Sequence, residues 1–200
     1  MEALRPVSEA RIILASASPR REQLLKQIGL NFEVFPGSAS EEVDPSWSFQ
    51  DGAERVALRK AEDVALSRPD ADLIIAADTV VVGCDEVLGK PSNRMDAFLM
   101  LGKLSGRTHE VVTGYAVLAP REGKRVVSSV VTRVTFRIIA HQEIEAYVAT
   151  GEPLDKAGAY AIQGLGGLFV ERIEGCYPNV VGLPLTGIDR ALRQLGWRIL

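Results

Sequence analysis

Two arginines stand where a helix should begin. The run Ala15-Ser16-Ala17-Ser18-Pro19-Arg20-Arg21 follows an apolar stretch, Arg11-Ile12-Ile13-Leu14, and precedes residues 22–28, whose spacing is helical up to a stop at Gly29. The chain is therefore expected to pass from a buried strand into a helix here. Ser18 suits the N-cap and Pro19 the first helical position. Arg20 and Arg21 then fall in the first turn, where the backbone amides already carry partial positive charge. An anion resolves that conflict: free amides, the Ser16 and Ser18 hydroxyls and two guanidiniums would converge on a phosphate. A solvated basic turn is the alternative.

Asp78 is the second conspicuous residue. It interrupts Leu73-Ile74-Ile75-Ala76-Ala77-Asp78-Thr79-Val80-Val81-Val82. A carboxylate in such a strand must reach a cation, a metal or water, because burying it alone is costly. It could hold a divalent ion or orient a water; capping a neighbouring backbone is the plainer reading. Glu41 and Glu42 lie in a polar loop and matter if that loop folds towards Asp78, where one could be a second metal ligand. Lys60 sits on the otherwise apolar stripe of a helix, either snorkelling or reaching an anion site. Pro91 fixes the backbone beside Lys90. In the glycine-dense segment 152–167, Gln163 could read a base edge by donating and accepting at once. These glycines precede a strand, so they do not form a dinucleotide-binding fingerprint, and the chain carries no P-loop motif. His109 and His141 show no partner spacing and are read as structural. Cys84 and Cys176 are isolated and read as small packing or strand residues in a reducing compartment, with no zinc site expected.

The elements that must position these groups follow from periodicity. Residues 53–66 are helical, with Val56, Ala57, Lys60, Ala61 and Val64 on one stripe. Residues 73–82 form a strand, and Ser92-Asn93 caps a helix with Ala97, Phe98, Leu101 and Leu104 on its apolar face. Long strands are expected near 109–118 and 126–138; in the second, Val130, Thr132, Val134, Phe136 and Ile138 share a face. A short helix spans 142–149, a strand 168–173 and a last helix about 185–195. Helices alternate with strands early and strands neighbour one another mid-chain, which implies an α/β fold with a mixed central β-sheet flanked by helices. Two hundred residues fit a single domain over 1–200. A net charge of −3 gives no general reason to expect nucleic acid or an anionic membrane as partner, so any basic site is local. No apolar stretch approaches the roughly 18 residues of a membrane span. The first residues lack a signal-peptide layout, so a cytoplasmic setting is expected.

Taken together, the chain resembles the Maf family of nucleotide pyrophosphatases. The resemblance is carried by Leu14-Ala15-Ser16-Ala17-Ser18-Pro19-Arg20-Arg21, Ala76-Ala77-Asp78-Thr79-Val80-Val81, Leu88-Gly89-Lys90-Pro91, Leu104-Ser105-Gly106-Arg107-Thr108-His109, the segment 152–167, and Val180-Val181-Gly182-Leu183-Pro184-Leu185. These run in the family's order over nearly the whole chain. Departures are conservative: Ala17 and Ala76 stand where Gly is common. The resemblance implies two lobes around a cleft, and hydrolysis of nucleoside triphosphates to the monophosphate and pyrophosphate with a divalent cation, Mg2+ or Mn2+. It places Asp78 as proton acceptor or metal ligand, with Glu41 as the acidic loop residue and second ligand. Ser16, Arg20, Arg21, Lys60 and Lys90 match groups around the phosphates, and Arg20, Thr79 and Gln163 match positions linked to base choice. The Gln163 segment resembles the branch acting on dTTP and UTP. The family is often dimeric, so a homodimer is an expected assembly. A nucleotide-binding regulator of septum formation, or the same hydrolysis on modified nucleotides such as 7-methyl-GTP, are the alternatives.

Overall fold

The computed structural model describes residues 3–200. In chain order the elements are β1 (Arg5–Pro6), β2 (Ile12–Leu14), α1 (Pro19–Gln27), β3 (Glu33–Val34), α2 (Phe49–Ser67), β4 (Leu73–Gly83), β5 (Glu86–Leu88), α3 (Arg94–Leu104), β6 (Thr108–Ala119), β7 (Lys124–Phe136), α4 (His141–Ala149), β8 (Val170–Glu174), α5 (Tyr177–Val181), α6 (Leu185–Gln194) and β9 (Trp197–Arg198). The main sheet runs β3-β2-β4-β6-β7-β8, with β5 paired to β4. Strand β2 is parallel to β3 and to β4, with Ile13 opposite Ile74. Its three residues are all buried, as expected for a strand covered on both faces. Strands β5 and β8 pair antiparallel to β4 and β7, so the sheet is mixed. A separate parallel pair joins β1 to β9.

The chain divides into two compact units. The first comprises the residues up to Asp78, Thr113–Val130 and Gly182–Leu200; the second comprises Thr79–Val112 and Val131–Val181. In the first, the stripe of α2 buries Ala57, Ala61 and Val64 with Ile13, Ile74, Ala76 and Ala116. Gly114 on β6 permits close approach: a β-carbon there would overlap the backbone of Ala53 and Glu54 on α2. In the second, Val81, Leu101, Leu104, Val134, Phe136, Ile144, Tyr147, Tyr160 and Phe169 form the core.

Local signals explain most element ends. Ser48 accepts from the Asp51 amide at 3.1 Å and Asn93 from the Asp96 amide at 3.0 Å, each opening a helix. Ser18 occupies the N-cap of α1 but makes no side-chain capping bond. Helix α4 begins at His141, one residue before the expected start, because the Glu143 carboxylate accepts the Ala140 amide at 2.9 Å. Three expectations need correction. Ile138 lies beyond β7 and is 83% exposed, since the strand ends at Phe136. Leu168 belongs to a 3-10 turn over Leu165–Phe169, so β8 starts later, at Val170. Cys84 is neither packed nor in a strand. It is exposed, and with Asp85 it forms a two-residue turn between β4 and β5 in which both residues take positive φ, 53° and 61°.

Candidate active site

In the first unit, the β2–α1 turn, helix α2 and strand β4 bring six of the expected residues into one neighbourhood. The parallel pairing of β2 with β4 sets the end of β2 beside the apolar run that leads to Asp78. Strand β4 is buried from Leu73 to Ala77 and half-exposed from Asp78 to Val80. The carboxylate therefore emerges in the half-exposed stretch between two buried parts of the strand, Leu73 to Ala77 and Val81 to Gly83. Lys60, one turn beyond Val56 and Ala57 on α2, points at it: its ammonium lies 2.7 Å from an Asp78 oxygen. The same ammonium lies 2.7 Å from Glu41 Oε1. So Lys60 does not snorkel; it links two carboxylates.

The loop that delivers Glu41 is anchored to α2. The Ser38 amide donates to Asp63 at 2.7 Å, and the Arg59 guanidinium donates to the Glu42 carbonyl. Gly37 packs so closely on Asp63 that a β-carbon would clash with the carboxylate. Glu42 thus contributes its backbone, whereas Glu41 contributes its acid.

At the β2–α1 turn, Ser16 is buried and its hydroxyl accepts from the Ser18 amide at 3.3 Å and from Arg21 at 3.1 Å. Arg21 also donates through Nε to the Gly182 carbonyl at 2.8 Å. Its guanidinium is half-buried, and burial draws its pKa below the usual arginine range. The Asp78 carboxylate is the largest opposing influence; repulsion from Arg20 adds to the effect of burial, and attraction from Glu41 opposes it. Arginine stays protonated regardless, so this is a fixed cation held near two acids.

The second unit holds Thr79, Lys90 and Gln163. Thr79 follows Asp78 directly on β4 and is half-exposed. Lys90 is exposed just after β5, where the Gly89 carbonyl accepts the Gly158 amide at 3.1 Å and ties that corner to the glycine-dense segment. Gln163 is exposed in a tight turn closed by the Gly164 amide donating to the Ala161 carbonyl at 3.1 Å. His109 is buried, 2.9 Å from the Tyr160 hydroxyl and edge-on to Phe136; burial lowers its pKa to about 4, so its imidazole is neutral. His141 is exposed at the start of α4, 3.5 Å from Glu145. Two residues outside the sequence expectations emerge, Glu152 and Tyr147. The Glu152 carboxylate accepts the amides of Leu165 and Gly166 and the Tyr147 hydroxyl. The signal for them was the glycine spacing itself, since turn amides crowded by glycines need an acceptor.

Comparison with known proteins gives a consistent picture. A solved structure of the Ham1 protein from Staphylococcus aureus aligns with TM-score 0.45 and 16% identity over 63% of this chain and 71% of that one, too loosely to inform the site. Among curated proteins, a dTTP/UTP pyrophosphatase of Desulforamulus reducens is 50% identical over 94% of this chain and 98% of its own. Another of that name, from Syntrophotalea carbinolica, is 51% identical over 92% of this chain and 84% of its own. The family model for Maf-like protein matches residues 11–195. With that match and these identities, the chain belongs to the Maf-like protein family.

Proposed function

We propose that this chain is a nucleoside triphosphate pyrophosphatase that cleaves dTTP and UTP between the α and β phosphates, releasing the monophosphate and pyrophosphate. The observation that carries the reading is the Lys60 ammonium held by Asp78 and Glu41 at 2.7 Å each, within electrostatic reach of Arg21. The names of the relatives support the choice of nucleotide. Both units are assigned to this one reaction, as parts of a single domain over residues 1–200.

Attack on the α-phosphorus needs a water with a proton acceptor, and stabilisation of charge on the departing pyrophosphate. Asp78 fills the first need, as proton acceptor for the water or as cation ligand; the Lys60 ammonium holds its carboxylate in place. Ser16, Arg20, Arg21, Lys60 and Lys90 take phosphate oxygens, the guanidiniums through paired donors. Arg20, Thr79 and Gln163 are assigned to base recognition. A uracil or thymine edge offers carbonyl acceptors beside an imide N–H, and a carboxamide complements that pattern by donating and accepting at once.

The donor set fits a magnesium or manganese ion. Such ions take one or two carboxylates from the protein and fill the rest of their shell with water and substrate phosphates. Asp78 and Glu41, sharing one ammonium, supply that pair. Among the described residues no group of three or more His, Cys, Asp or Glu forms a closed cage. Bound there, the ion would polarise phosphoryl oxygens and offset the triphosphate charge.

The test is pyrophosphate release by purified protein from dTTP, UTP, CTP and 7-methyl-GTP across a Mg2+ and Mn2+ series. Release from dTTP and UTP is expected. Intact dTTP and UTP at every metal concentration would overturn the reading.

A further inference from the structure

The turn carrying Gln163 is clamped at both shoulders by two side chains from one neighbouring stretch. Ahead of it, the Ala161 amide donates to the Tyr147 hydroxyl at 3.3 Å. Behind it, the Leu165 amide donates to Glu152 Oε2 at 3.0 Å and the Gly166 amide to Glu152 Oε1 at 3.1 Å. The Tyr147 hydroxyl in turn donates to Glu152 Oε1 at 2.9 Å, so the two clamps form one network. Tyr147 is buried on α4, and its ring packs edge-on against Phe169 at 5.0 Å, so the hydroxyl has a fixed position.

The glycines are fitted to this network. A β-carbon on Gly164 would come within 2.6 Å of the Glu152 carboxylate carbon, and one on Gly166 within 2.7 Å of the Tyr147 hydroxyl. Between the shoulders, the Ala161 carbonyl and Gly164 amide close a four-residue turn with Gln163 at its third position, exposed. Two converging amides on one carboxylate also explain why Glu152 titrates below the usual carboxylate range although its burial acts the other way. A neutral acceptor does not suffice. A glutamine at 152 would set an NH2 donor against an amide donor on one side.

We infer that Glu152, with Tyr147, is a positioning residue for base selection: it holds the Gln163 turn in one conformation so that a pyrimidine edge meets a fixed carboxamide. This rests on the base-reading role assigned to Gln163 above. A flexible turn would present that carboxamide in many orientations, and the advantage of the correct base over an incorrect one would shrink.

The experiment compares Q163A, E152Q and Y147F with the unsubstituted chain, measuring kcat and KM for dTTP and CTP. For E152Q and Y147F, the ratio of kcat/KM for dTTP over CTP is expected to fall by about tenfold, mainly through a raised KM for dTTP. Equal losses on both nucleotides, with the ratio preserved, would mean a merely structural role and overturn the inference. An unchanged ratio in Q163A would overturn the base-reading role and this inference with it. A changed ratio in Q163A alone overturns the inference and leaves that role standing. Y147F removes a single oxygen and decides the matter if E152Q fails to fold. Amide hydrogen exchange gives a readout that needs no turnover: protection of Leu165 and Gly166 is expected to drop by about tenfold in E152Q, and unchanged protection counts against the clamp.

Discussion

A lysine whose side chain is 14% exposed and whose ammonium touches two carboxylates is a fixed charge with little room to wander. Removing the charge of one partner tells which of them handles the proton. For D78N, turnover of dTTP is expected to fall by about a thousandfold. Nucleotide binding, followed by calorimetry, should stay within about tenfold of the unsubstituted chain. A variant that loses binding and turnover together would move Asp78 from the chemistry to substrate capture, and a D78N chain that still supports septum formation would favour a regulatory task. At this scale the conspicuous residues were those breaking a local rule: cations at a helix N-terminus, an acid inside an apolar run. Their partners were not legible. The Lys60–Asp78 contact spans α2 and β4, and Glu41 reaches Lys60 because Asp63 and Arg59 hold the backbone of its loop. No spacing rule encodes a loop pinned by side chains 17 to 25 residues further on.

Elements show how the same substitution can act in opposite directions. Gly114 on β6 lies against the backbone of α2, so G114A forces helix and sheet apart and is expected to destabilise the fold by about 2–4 kcal/mol. Gly102 lies on the exposed side of α3 with no heavy atom near its missing β-carbon. G102A should therefore stabilise by about 0.5–1 kcal/mol through helix propensity. Urea melts of both variants check the pair, and a neutral G114A would mean that α2 can shift, taking Lys60 with it. Most elements were readable from periodicity and caps, as Asn93 and the stripe of α2 illustrate. The close approach at Gly114 was not, because a glycine in a strand does not reveal what crosses it. The late start of β8 escaped for a related reason: glycines that permit a 3-10 turn also permit a strand.

For the molecule as a whole, the neutral buried imidazole makes stability depend on acidity. His109 titrates at about 4 when folded against 6.5 as the ordinary value. Between those values the unfolded chain binds the additional proton. Stability from this residue is therefore complete above pH 6.5 and is lost as pH falls towards 4, by up to about 3 kcal/mol. Urea melts at pH 7 and 4.5 should show a larger loss for the unsubstituted chain than for H109Q, which keeps a polar partner for Tyr160 without titrating in that range. An equal loss in both would shift the acid sensitivity to other groups. The α/β class and the mixed sheet were legible from the order of helical and extended patterns. The strand order and the β1–β9 pair were not, since they depend on contacts between distant segments, and the division into two units was implied by the family resemblance alone. That division has an evolutionary consequence. One unit is stitched from three stretches of chain and the other from two, and three of the four crossings fall inside β4, β6 and β7. Neither unit can be excised by cutting connecting peptides alone, because three boundaries lie within strands. Diversification in this architecture must proceed by exchanging side chains and short turns, such as the one bearing Gln163, while the frame is inherited entire.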